Sequence, residues 1–543
     1  MKKFSAAVVA ALLLAASCGS DSDDVASEDT AAAVETDDVA SEDTAAAVET
    51  DETSAPSEPE ADGEQEAAGA CGTLRFGNFI DLLTFDAHVA QAGPQMAFLG
   101  PVYDGLLRLD TEGMVQPALA EEWEYIDDVT LELRLRDGVA FHDGAAFDAE
   151  VVRANIERVQ TSEGRNATVF EAVEQVEVVD PMTVRLHLTA PVPDLLVTLS
   201  EQAGFMISPD AMTDPDLDRN PVGTGPYRYD AQASQAADTY VFTAFEDYWD
   251  PSAQGVEQVE VVVLTDEDAR FNALQSGQVD VAEITPAQAE LAQSAGLQIV
   301  EGSGLFYHLF VQDRDGTMVP ELGDPRVRQA MAYAVDREAM VDAIAFGFGT
   351  PAAQPYAEGN MAHVAGLDDE FTYDPDRARA LLQEAGVDGF SFRTVTLPTY
   401  SSLAEATQAY LAEVGINMEI QLVEPGTLGA AGRSGEHPTW FGRWIALEPA
   451  QNFTLLWAEG APYNPFAAVN PVVQENGQEA GSITDQDRRT ELYQEMLTEM
   501  VGEAWSTVLY RTGSLLSNEP SVEGVGLAPG RSVPDFRGVR VEC

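Results

Sequence analysis

The sequence predicts an α/β protein with more than one hydrophobic core. The chain has 543 residues, of which 45% are hydrophobic, and this is enough apolar material for several cores. Residues 129–136 alternate apolar and polar side chains, which predicts a strand with one buried face. Residues 256–284 read as strand, helix and strand, a pattern typical of parallel sheets.

The stretch 102–152 predicts a hairpin followed by a helix. After the alternating strand, Asp137-Gly138 is a tight-turn signal, because glycine accepts positive φ. We expect a return strand to begin at Val139 and Phe141 and to end at residues 142–144. Asp148 is the expected N-cap of the helix. The buried face of that helix is predicted to hold Val151, Val152, Asn155, Ile156 and Val159.

The other elements follow from the same signals. Residues 220–229 hold two glycines and two prolines in a constrained turn before a strand at 227–229, and they lack the Lys-Ser/Thr of a phosphate loop. Further predictions, in chain order, are a strand at 73–77, helical periodicity over 96–106, a strand pair at 173–180 and 183–189 turned by Asp180-Pro181, a helix beginning at Asp324, a strand at 415–424 and a helix within 483–505.

The charge of the chain argues against nucleic acid as a partner. Asp and Glu number 93 against 28 Lys and Arg, and the formal net charge is −65. Phosphate binding needs a basic face, and the only lysines are Lys2 and Lys3. An acidic surface fits a saline outside environment, and a general bias in composition explains it equally well.

The first 18 residues predict an export signal. Lys2 and Lys3 precede an apolar stretch at 4–16 that is too short for a permanent membrane span. Leu-Ala-Ala-Ser then leads to Cys18, which we expect to be lipidated; the alternative is an ordinary signal peptide cut nearby. Residues 19–70 contain an identical 14-residue repeat, 23–36 and 37–50, without large apolar side chains, and they predict a disordered acidic tether.

Two cysteines remain, Cys71 and Cys543, at the two ends of the predicted folded part. Export favours oxidation, so we expect a disulfide between them. The alternative is a pair of free thiols.

Enzymatic motifs are missing from the sequence. It contains no G-x-S-x-G, no H-E-x-x-H and no S-x-x-K with a K-T-G box. Its six histidines show no metal-ligand spacing. We therefore expect a binding protein without catalytic residues, metal or cofactor.

Several short sequence motifs, taken in chain order, resemble one protein family. They are YDGLL (103–107), PALAEEW (117–123), LRDGV (135–139), FHDG (141–144), PVGTGPY (221–227), LQSGQVDVA (274–282), RQAMAYAVDRE (328–338) and YDPDRARALLQEAG (373–386). In this order they resemble the family-5 solute-binding proteins of ABC importers, which include oligopeptide, dipeptide and nickel binders. The resemblance covers about residues 73–510.

The resemblance implies a two-lobe, periplasmic-binding-protein-like α/β fold of the large cluster C type. Lobe one would comprise 71–303, with an inserted subdomain at about 108–220. Lobe two would comprise 304–505, and 506–543 would return to lobe one.

The resemblance also points to a ligand-binding segment, residues 437–457. Glu448 stands where the family often has an aspartate that pairs with a peptide amino terminus. Trp444, and beside it Trp440 and Trp457, would line the cleft, or else pack in a core. Arg433 or Arg443 would meet a ligand carboxylate, since a guanidinium suits it bidentately; the alternative is a salt-bridged surface. Arg326, Arg328 and Arg337 are interpreted as a solvated or salt-bridged helix face.

The function implied is that of a monomeric, lipid-anchored protein on the extracellular face of the membrane, or in a periplasm. It would capture oligopeptides by closure of its lobes and deliver them to an ABC permease. Competing ligands are nickel complexes, haem, sugars and opines. Two functions of a different class compete with transport, namely a sensor or adhesion lipoprotein without an importer, and a hydrolase.

Overall fold

The computed structural model of the chain describes residues 70–90, 93–162, 165–424, 426–446 and 448–543. The predicted signal peptide, Cys18 and the predicted tether as far as residue 69 lie outside the described residues. No helix within those ranges combines the length and apolar character needed to cross a membrane.

The described residues alternate between strands and helices. The strands are β1 (Thr73–Asn78), β2 (Leu107–Leu109), β3 (Val115–Pro117), β4 (Ala120–Asp127), β5 (Thr130–Leu135), β6 (Val173–Asp180), β7 (Thr183–Leu188), β8 (Tyr227–Tyr229), β9 (Thr239–Ala244), β10 (Gln258–Val263), β11 (Val281–Ile284), β12 (Gln298–Glu301), β13 (Leu305–Val311), β14 (Thr350–Pro351), β15 (Phe390–Thr396), β16 (Ile416–Leu422), β17 (Thr439–Ile445), β18 (Ser506–Thr512), β19 (Leu515–Asn518), β20 (Val522–Glu523) and β21 (Arg540–Val541). The helices are α1 (Met96–Leu99), α2 (Ala149–Thr161), α3 (Leu195–Leu199), α4 (Glu267–Gln275), α5 (Pro286–Ser294), α6 (Pro325–Tyr333), α7 (Arg337–Ile344), α8 (Pro375–Glu384), α9 (Ser401–Glu413), α10 (Leu428–Arg433), α11 (Pro449–Asn452), α12 (Pro471–Ala480) and α13 (Gln486–Gly502).

A seven-stranded sheet is organised around β1. Its order is β12-β19-β11-β1-β10-β9-β8, and β1 pairs in parallel with both β10 and β11. The predicted strand-helix-strand at 256–284 is therefore confirmed as β10-α4-β11, with β1 between its two strands. Phe76 lies opposite Val261 on one side and Val281 on the other, and all three are buried in one core.

A four-stranded antiparallel sheet, order β4-β5-β7-β6, has a separate core with α2. The alternation predicted for 129–136 is confirmed in β5, where the leucines are buried and Arg134 is exposed. The side chain of Asp148 accepts a hydrogen bond from Val151 N at 3.1 Å and caps α2 as predicted. The five residues predicted for the buried face of α2 are all buried. The strand pair turned by Asp180-Pro181 is also confirmed, as β6 and β7.

Two local predictions were wrong. No return strand follows Asp137-Gly138; β5 pairs instead with β4 before it and with β7. The hairpin turn lies ahead of β5, where Asp127 accepts from Val129 N at 3.0 Å. Asp137-Gly138 is a turn as predicted, with Gly138 at φ 75°, but it leads into a stretch that buries Phe141 in the core. The helix predicted over 96–106 is confined to α1, because Pro101 has no amide hydrogen for a further turn.

A six-stranded sheet, order β14-β18-β13-β17-β15-β16, carries helices on both faces. One face packs against α6 to α9, and the other against α12 and α13. We call this sheet with its helices the second lobe, and the seven- and four-stranded sheets with theirs the first lobe. The chain enters the second lobe between Glu301 and Leu305. It leaves between β18 and β19, at Gly513-Ser514, so residues 506–512 belong to the second lobe rather than to the predicted return.

The arginines around α6 confirm the predicted solvated or salt-bridged helix face only in part, because Arg328, although buried, pairs with Glu503 at 3.8 Å and Arg337 makes no ion pair among the described residues. Arg326 is exposed and pairs with Asp324, but Arg328 and Arg337 are only 3% and 6% exposed. Arg337 donates to four backbone carbonyls, which in order of distance are Phe371 O (2.7 Å), Val508 O (2.8 Å), Ala332 O (3.0 Å) and Ala352 O (3.0 Å). A buried guanidinium is tolerated here because its charge is met by carbonyl dipoles.

The chain ends of the folded part are joined covalently. Cys71 forms a disulfide with Cys543, and their Cα atoms are 6.4 Å apart. The bond lies next to β1, which begins two residues later at Thr73. The first lobe is thereby closed at the point where the chain enters it.

Candidate functional site

The predicted segment 437–457 runs through β17, α11 and a π-helical turn at Phe453–Trp457. β17 lies between β13 and β15 in the second lobe. Because side chains alternate along a strand, Trp440 and Trp444 share one face of the sheet, whereas Arg443 points to the other. The predicted ligand-binding residues of this segment therefore do not all lie on the same face of the sheet.

Two of the three tryptophans occupy core positions. Trp440 is 2% exposed and packs edge-on against His308, with ring centroids 4.8 Å apart. Trp457 is 4% exposed and lines a cavity of about 20 Å³ beside His308 and Ser506, large enough for about one water molecule. Burial lowers the pKa of His308 to about 3, so this histidine is neutral at physiological pH.

Glu448 lies at the start of α11 and is held from two sides. Its Oε2 accepts from Ala450 N at 2.6 Å, which caps the helix, and its Oε1 accepts from Arg489 Nη2. The side chains of Glu448 and Arg489 are 10% and 1% exposed. Burial raises the pKa of Glu448, while the positive charge of Arg489 works in the opposite direction. Both carboxylate oxygens of Glu448 therefore already have partners.

The first lobe meets this site directly. Asp194, which precedes α3, accepts from Gln451 Nε2 at 2.7 Å across the two lobes. A second interlobe bond runs from Thr484 Oγ1 to Asp128 Oδ1, at 2.9 Å. The predicted Glu448 thus sits at the contact between the lobes, which its position in the sequence could not reveal.

A tyrosine from β4 completes the contact. The hydroxyl of Tyr125 is buried without a hydrogen-bond partner among the described residues. Burial raises the pKa of Tyr125 to about 12, with the charges of Arg489 and Asp194 acting in opposite directions. We call Tyr125, Asp194, Glu448, Gln451 and Arg489 the interlobe cluster. It combines two carboxylates, one guanidinium and neutral donors, a set suited to the ends and amides of a polar ligand.

Trp444 lies beside the interlobe cluster and is half-buried. Its Nε1 donates to Asn452 Oδ1 at 3.0 Å, and Asn452 Nδ2 donates to the hydroxyl of Tyr356 at 3.0 Å. Asn452 is completely buried, so it fixes the indole in one orientation. Of the three predicted tryptophans, Trp444 alone combines a fixed orientation with partial exposure.

The two predicted arginines lie apart. Arg433 is exposed and donates to the hydroxyl of Tyr463 at 2.9 Å, and the Tyr463 ring packs against Trp444 with centroids 4.9 Å apart. Arg443 is exposed on the opposite face of β17, close enough to Glu283 for its charge to oppose the burial that raises the pKa of Glu283. Only Arg433 is therefore linked to the side of β17 that carries Trp444.

Sequence reasoning missed Tyr125, Asp194, Gln451 and Arg489. Each lies in a different element, and the first two come from the first lobe. Arg489 occupies the buried face of α13, where the apolar periodicity of 483–505 could have marked it as an arginine in need of a partner. No local pattern identifies Asp194.

Comparison with known proteins gives consistent similarities. Residues 114–464 match the model of bacterial extracellular solute-binding proteins, family 5. The glutathione-binding protein GsiB of Salmonella paratyphi A is 31% identical over 364 residues, which span 65% of this chain and 69% of GsiB. NikA from Brucella suis, in complex with Fe(III)-EDTA, is 26% identical with a TM-score of 0.76, covering 87% of this chain and 100% of NikA. DppA from Helicobacter pylori, in complex with the peptide STSA, is 23% identical with a TM-score of 0.69, covering 88% of this chain and 99% of DppA.

Proposed function

This chain belongs to the bacterial extracellular solute-binding proteins of family 5, and from that premise we propose that it captures short peptides between its lobes and passes them to an ABC permease. Its fold is the two-lobe, periplasmic-binding-protein-like α/β fold of the large cluster C type, as the family resemblance implied. Proteins of this family bind solutes for transport rather than transform them.

The observation that carries the peptide proposal is the interlobe cluster. A short peptide presents a terminal ammonium, a terminal carboxylate and amide groups, and all three are polar groups that need partners when buried. Asp194 is half-buried and offers a carboxylate from the first lobe, and Glu448 offers one from the second. We assign the ammonium group to this carboxylate pair, with Asp194 as its first partner because both oxygens of Glu448 are already bonded.

Two further ligand contacts are proposed on the side of β17 that carries Trp444. Trp444 would cover a ligand side chain, and Arg433 would meet the ligand carboxylate, steadied by its bond to Tyr463. We do not assign a ligand contact to Arg443, Trp440 or Trp457. The relative GsiB binds glutathione and the structural neighbour DppA holds a peptide, which supports a short peptide as the ligand.

Proteins of this family act outside the cytoplasm. We extend the proposal to the chain ahead of the fold: Cys18 would carry the lipid and residues 19–70 would tether a monomeric protein to the extracellular face of the membrane. Lobe one would comprise 71–303 together with the chain after 513, with its inserted subdomain at about 108–220. Mass spectrometry of the membrane fraction tests the lipid directly, because an unmodified mature N-terminus would contradict it.

A ligand-release experiment tests the binding proposal. The protein is purified without denaturation, and the masses released on denaturation are recorded. We expect a mixture of short peptides. A single non-peptide compound or a metal chelate, as in the NikA complex, would overturn the peptide assignment.

A second experiment tests the role of Asp194. Affinity for a tripeptide is compared with that for its N-acetylated form, which has no terminal ammonium. We expect acetylation to weaken binding at least about tenfold in the natural protein and to have no further effect in Asp194→Asn. Asp128→Asn, which alters the other interlobe hydrogen bond, is the control and should retain the full effect of acetylation. Equal effects of acetylation in all three proteins would contradict the assignment.

A further inference from the structure

A separate pocket of about 330 Å³ lies in the first lobe. Its walls come from segments 96–118, 200–205 and 524–537 together with Trp249, and none of its lining residues belongs to the second lobe. We call it the lobe-one pocket. It opens along the seam between the core of the seven-stranded sheet and the core of the four-stranded sheet. A volume of this size at the boundary between two packed units is typical of small-molecule sites.

The polar floor of the lobe-one pocket is fixed by Asp104. This carboxylate is 2% exposed and accepts from Trp249 Nε1 at 2.9 Å and from the Tyr248 hydroxyl at 3.2 Å. Arg537 pairs with the same carboxylate and with Asp535. The charge of Asp104 is therefore neutralised inside the protein and is not available to a ligand cation.

A different arginine is left uncommitted. Arg531 pairs with Glu201, and Arg537 with Asp104 and Asp535. Arg108 on β2 lines the same pocket, is exposed, and makes neither an ion pair nor a side-chain hydrogen bond within the described ranges. Of the three arginines that line the pocket, Arg108, Arg531 and Arg537, only Arg108 has no carboxylate partner among the described residues. Its planar fork fits a carboxylate bidentately.

The remaining lining is mixed: Asp110, Thr111, Gln116 and Ser200 contribute polar groups, and one wall is apolar. Leu107, Phe205 and Phe536 are buried, and the indole of Trp249 is held between Asp104 and the guanidinium of Arg136, which lies 4.3 Å from the ring centroid. Such a wall accepts an aliphatic or aromatic group, while Arg108 at its edge accepts one negative charge. We infer that the lobe-one pocket is a second ligand site, distinct from the interlobe cluster, for a small organic carboxylate with an apolar body that pairs with Arg108.

The ligand used to probe this site is 3-phenylpropionate, and its uncharged analogue 3-phenylpropanamide is the control compound. Binding of each to the full-length protein is measured by isothermal titration calorimetry. We expect the carboxylate to bind at least about tenfold more tightly than the amide, and this preference to disappear in Arg108→Gln. Arg219→Gln is the control, because the Arg219 side chain is 79% exposed and lies outside the pocket lining. It should keep the preference.

A second variant tests the location rather than the charge. Ala528 lines the lobe-one pocket and is half-buried. Ala528→Trp should fill the cavity and abolish binding of both probes, while circular dichroism reports a retained fold. Absence of binding to the natural protein would overturn the inference, and so would equal affinity for acid and amide or loss of binding in Trp444→Ala alone.

Tripeptide binding is measured on the same variants, which keeps this site separate from the peptide proposal. We expect Arg108→Gln and Ala528→Trp to bind the tripeptide as the natural protein does, and Asp194→Asn to keep its affinity for 3-phenylpropionate. Displacement of 3-phenylpropionate by the tripeptide would place both in one site and overturn the inference. The two proposals can therefore fail independently.

Discussion

Two buried arginines of the second lobe are held in different ways. Arg337, in the interior, donates to backbone carbonyls contributed by four segments of the chain. Arg489, at the contact between the lobes, donates to the carboxylate of Glu448, to Gln486 Oε1 and to one carbonyl, Ala480 O. Carbonyl acceptors belong to the fold itself, whereas a carboxylate can take up a proton or change its partner. The interior is therefore fixed, and the interlobe cluster can be rearranged.

The interior of the second lobe and the interlobe cluster also differ in how burial shifts the pKa values of their charged groups. Burial lowers the pKa of Arg337 to about 10, with Asp368 opposing the shift, so this arginine remains charged at neutral pH. Burial raises the pKa of Glu448 and brings its titration closer to neutrality. A change of pH thus acts on the interlobe cluster while leaving Arg337 charged. Four predictions examine this division, in order of decreasing effect.

The first prediction removes the fixed arginine. Arg337→Met leaves four carbonyls without their donor, so the free energy of unfolding should fall by at least about 4 kcal/mol. Chemical denaturation measures this change. The control is Arg326→Met, because Arg326 is exposed beside Asp324 and should contribute no more than about 1 kcal/mol. Equal losses in the two variants would contradict the distinction between carbonyl-bound and surface arginines.

The second prediction concerns His308, in the interior of the second lobe. The pKa of His308 is lowered by burial from 6.5 to about 3, so below pH 6.5 the unfolded chain binds a proton that the folded protein does not. The stabilising contribution is present above pH 6.5 and is lost as the pH falls, by about 3 kcal/mol at pH 4. His308→Gln should lack this part of the pH dependence.

The control for His308 is His187→Gln, because His187 is 36% exposed on β7 and pairs with Glu177. Urea denaturation at pH 7, 5.5 and 4 measures all three proteins. The His187 variant retains His308 and should therefore keep the loss of stability that His308 causes at low pH. If His308→Gln loses as much stability as the natural protein between pH 7 and pH 4, the histidine is not buried in its neutral form.

The third prediction reverses the sign of the pH effect at the interlobe cluster. Because the pKa of Glu448 is raised, its contribution to stability is present below its ordinary value of 4.5 and is lost as the pH rises through the raised pKa. Glu448→Gln does not titrate and should gain stability relative to the natural protein as the pH rises. Glu479→Gln, at an exposed pair with Arg488, is the control for loss of a carboxylate, because it retains Glu448. A Glu448→Gln difference that stays constant with pH would contradict the prediction.

The fourth prediction has the smallest effect on stability. Gln451→Ala removes one hydrogen bond across the lobes, so the free energy of unfolding should fall by no more than about 1 kcal/mol. The radius of gyration should nevertheless increase, because this bond holds the lobes together. Small-angle X-ray scattering measures that change, with Thr484→Ala as the control at the more exposed bond. A large loss of stability without an increase in the radius of gyration would contradict the prediction, because Gln451 would then stabilise the fold rather than the contact between the lobes.

The same division explains which features could be predicted from the sequence. α2 with its Asp148 cap, the β6-β7 pair and the strand-helix-strand of β10, α4 and β11 depend on neighbouring residues, and periodicity with turn signals identified them. Neither partner of β5 was predicted. β4 alternates tryptophan and tyrosine with acidic residues and lacks an aliphatic pattern, and β7 is distant from β5 in the sequence.

The candidate site could be predicted only in part. The family resemblance led to segment 437–457, and within it Glu448 lies at the interlobe contact. Its partner Arg489 lies 41 positions further along the chain, and Asp194 is in the other lobe. Neither contact can therefore be predicted from the residues that neighbour Glu448 in the sequence. The burial of Arg337 was missed for the same reason, because its carbonyl acceptors come from distant segments. Long-range pairing of polar groups, rather than apolar packing, is what the sequence left undecided.

The bond between Cys71 and Cys543 also determines how the folded part would carry a mechanical load. A pull on the chain ahead of Cys71 divides at that residue. One path runs into β1, which lies between parallel neighbours and resists by shear along its whole length. The other crosses the sulfur atoms to the chain end and reaches β21. Cys71 and Cys543 therefore share one point of attachment beside β1, and a pull on either residue is divided between β1 and β21.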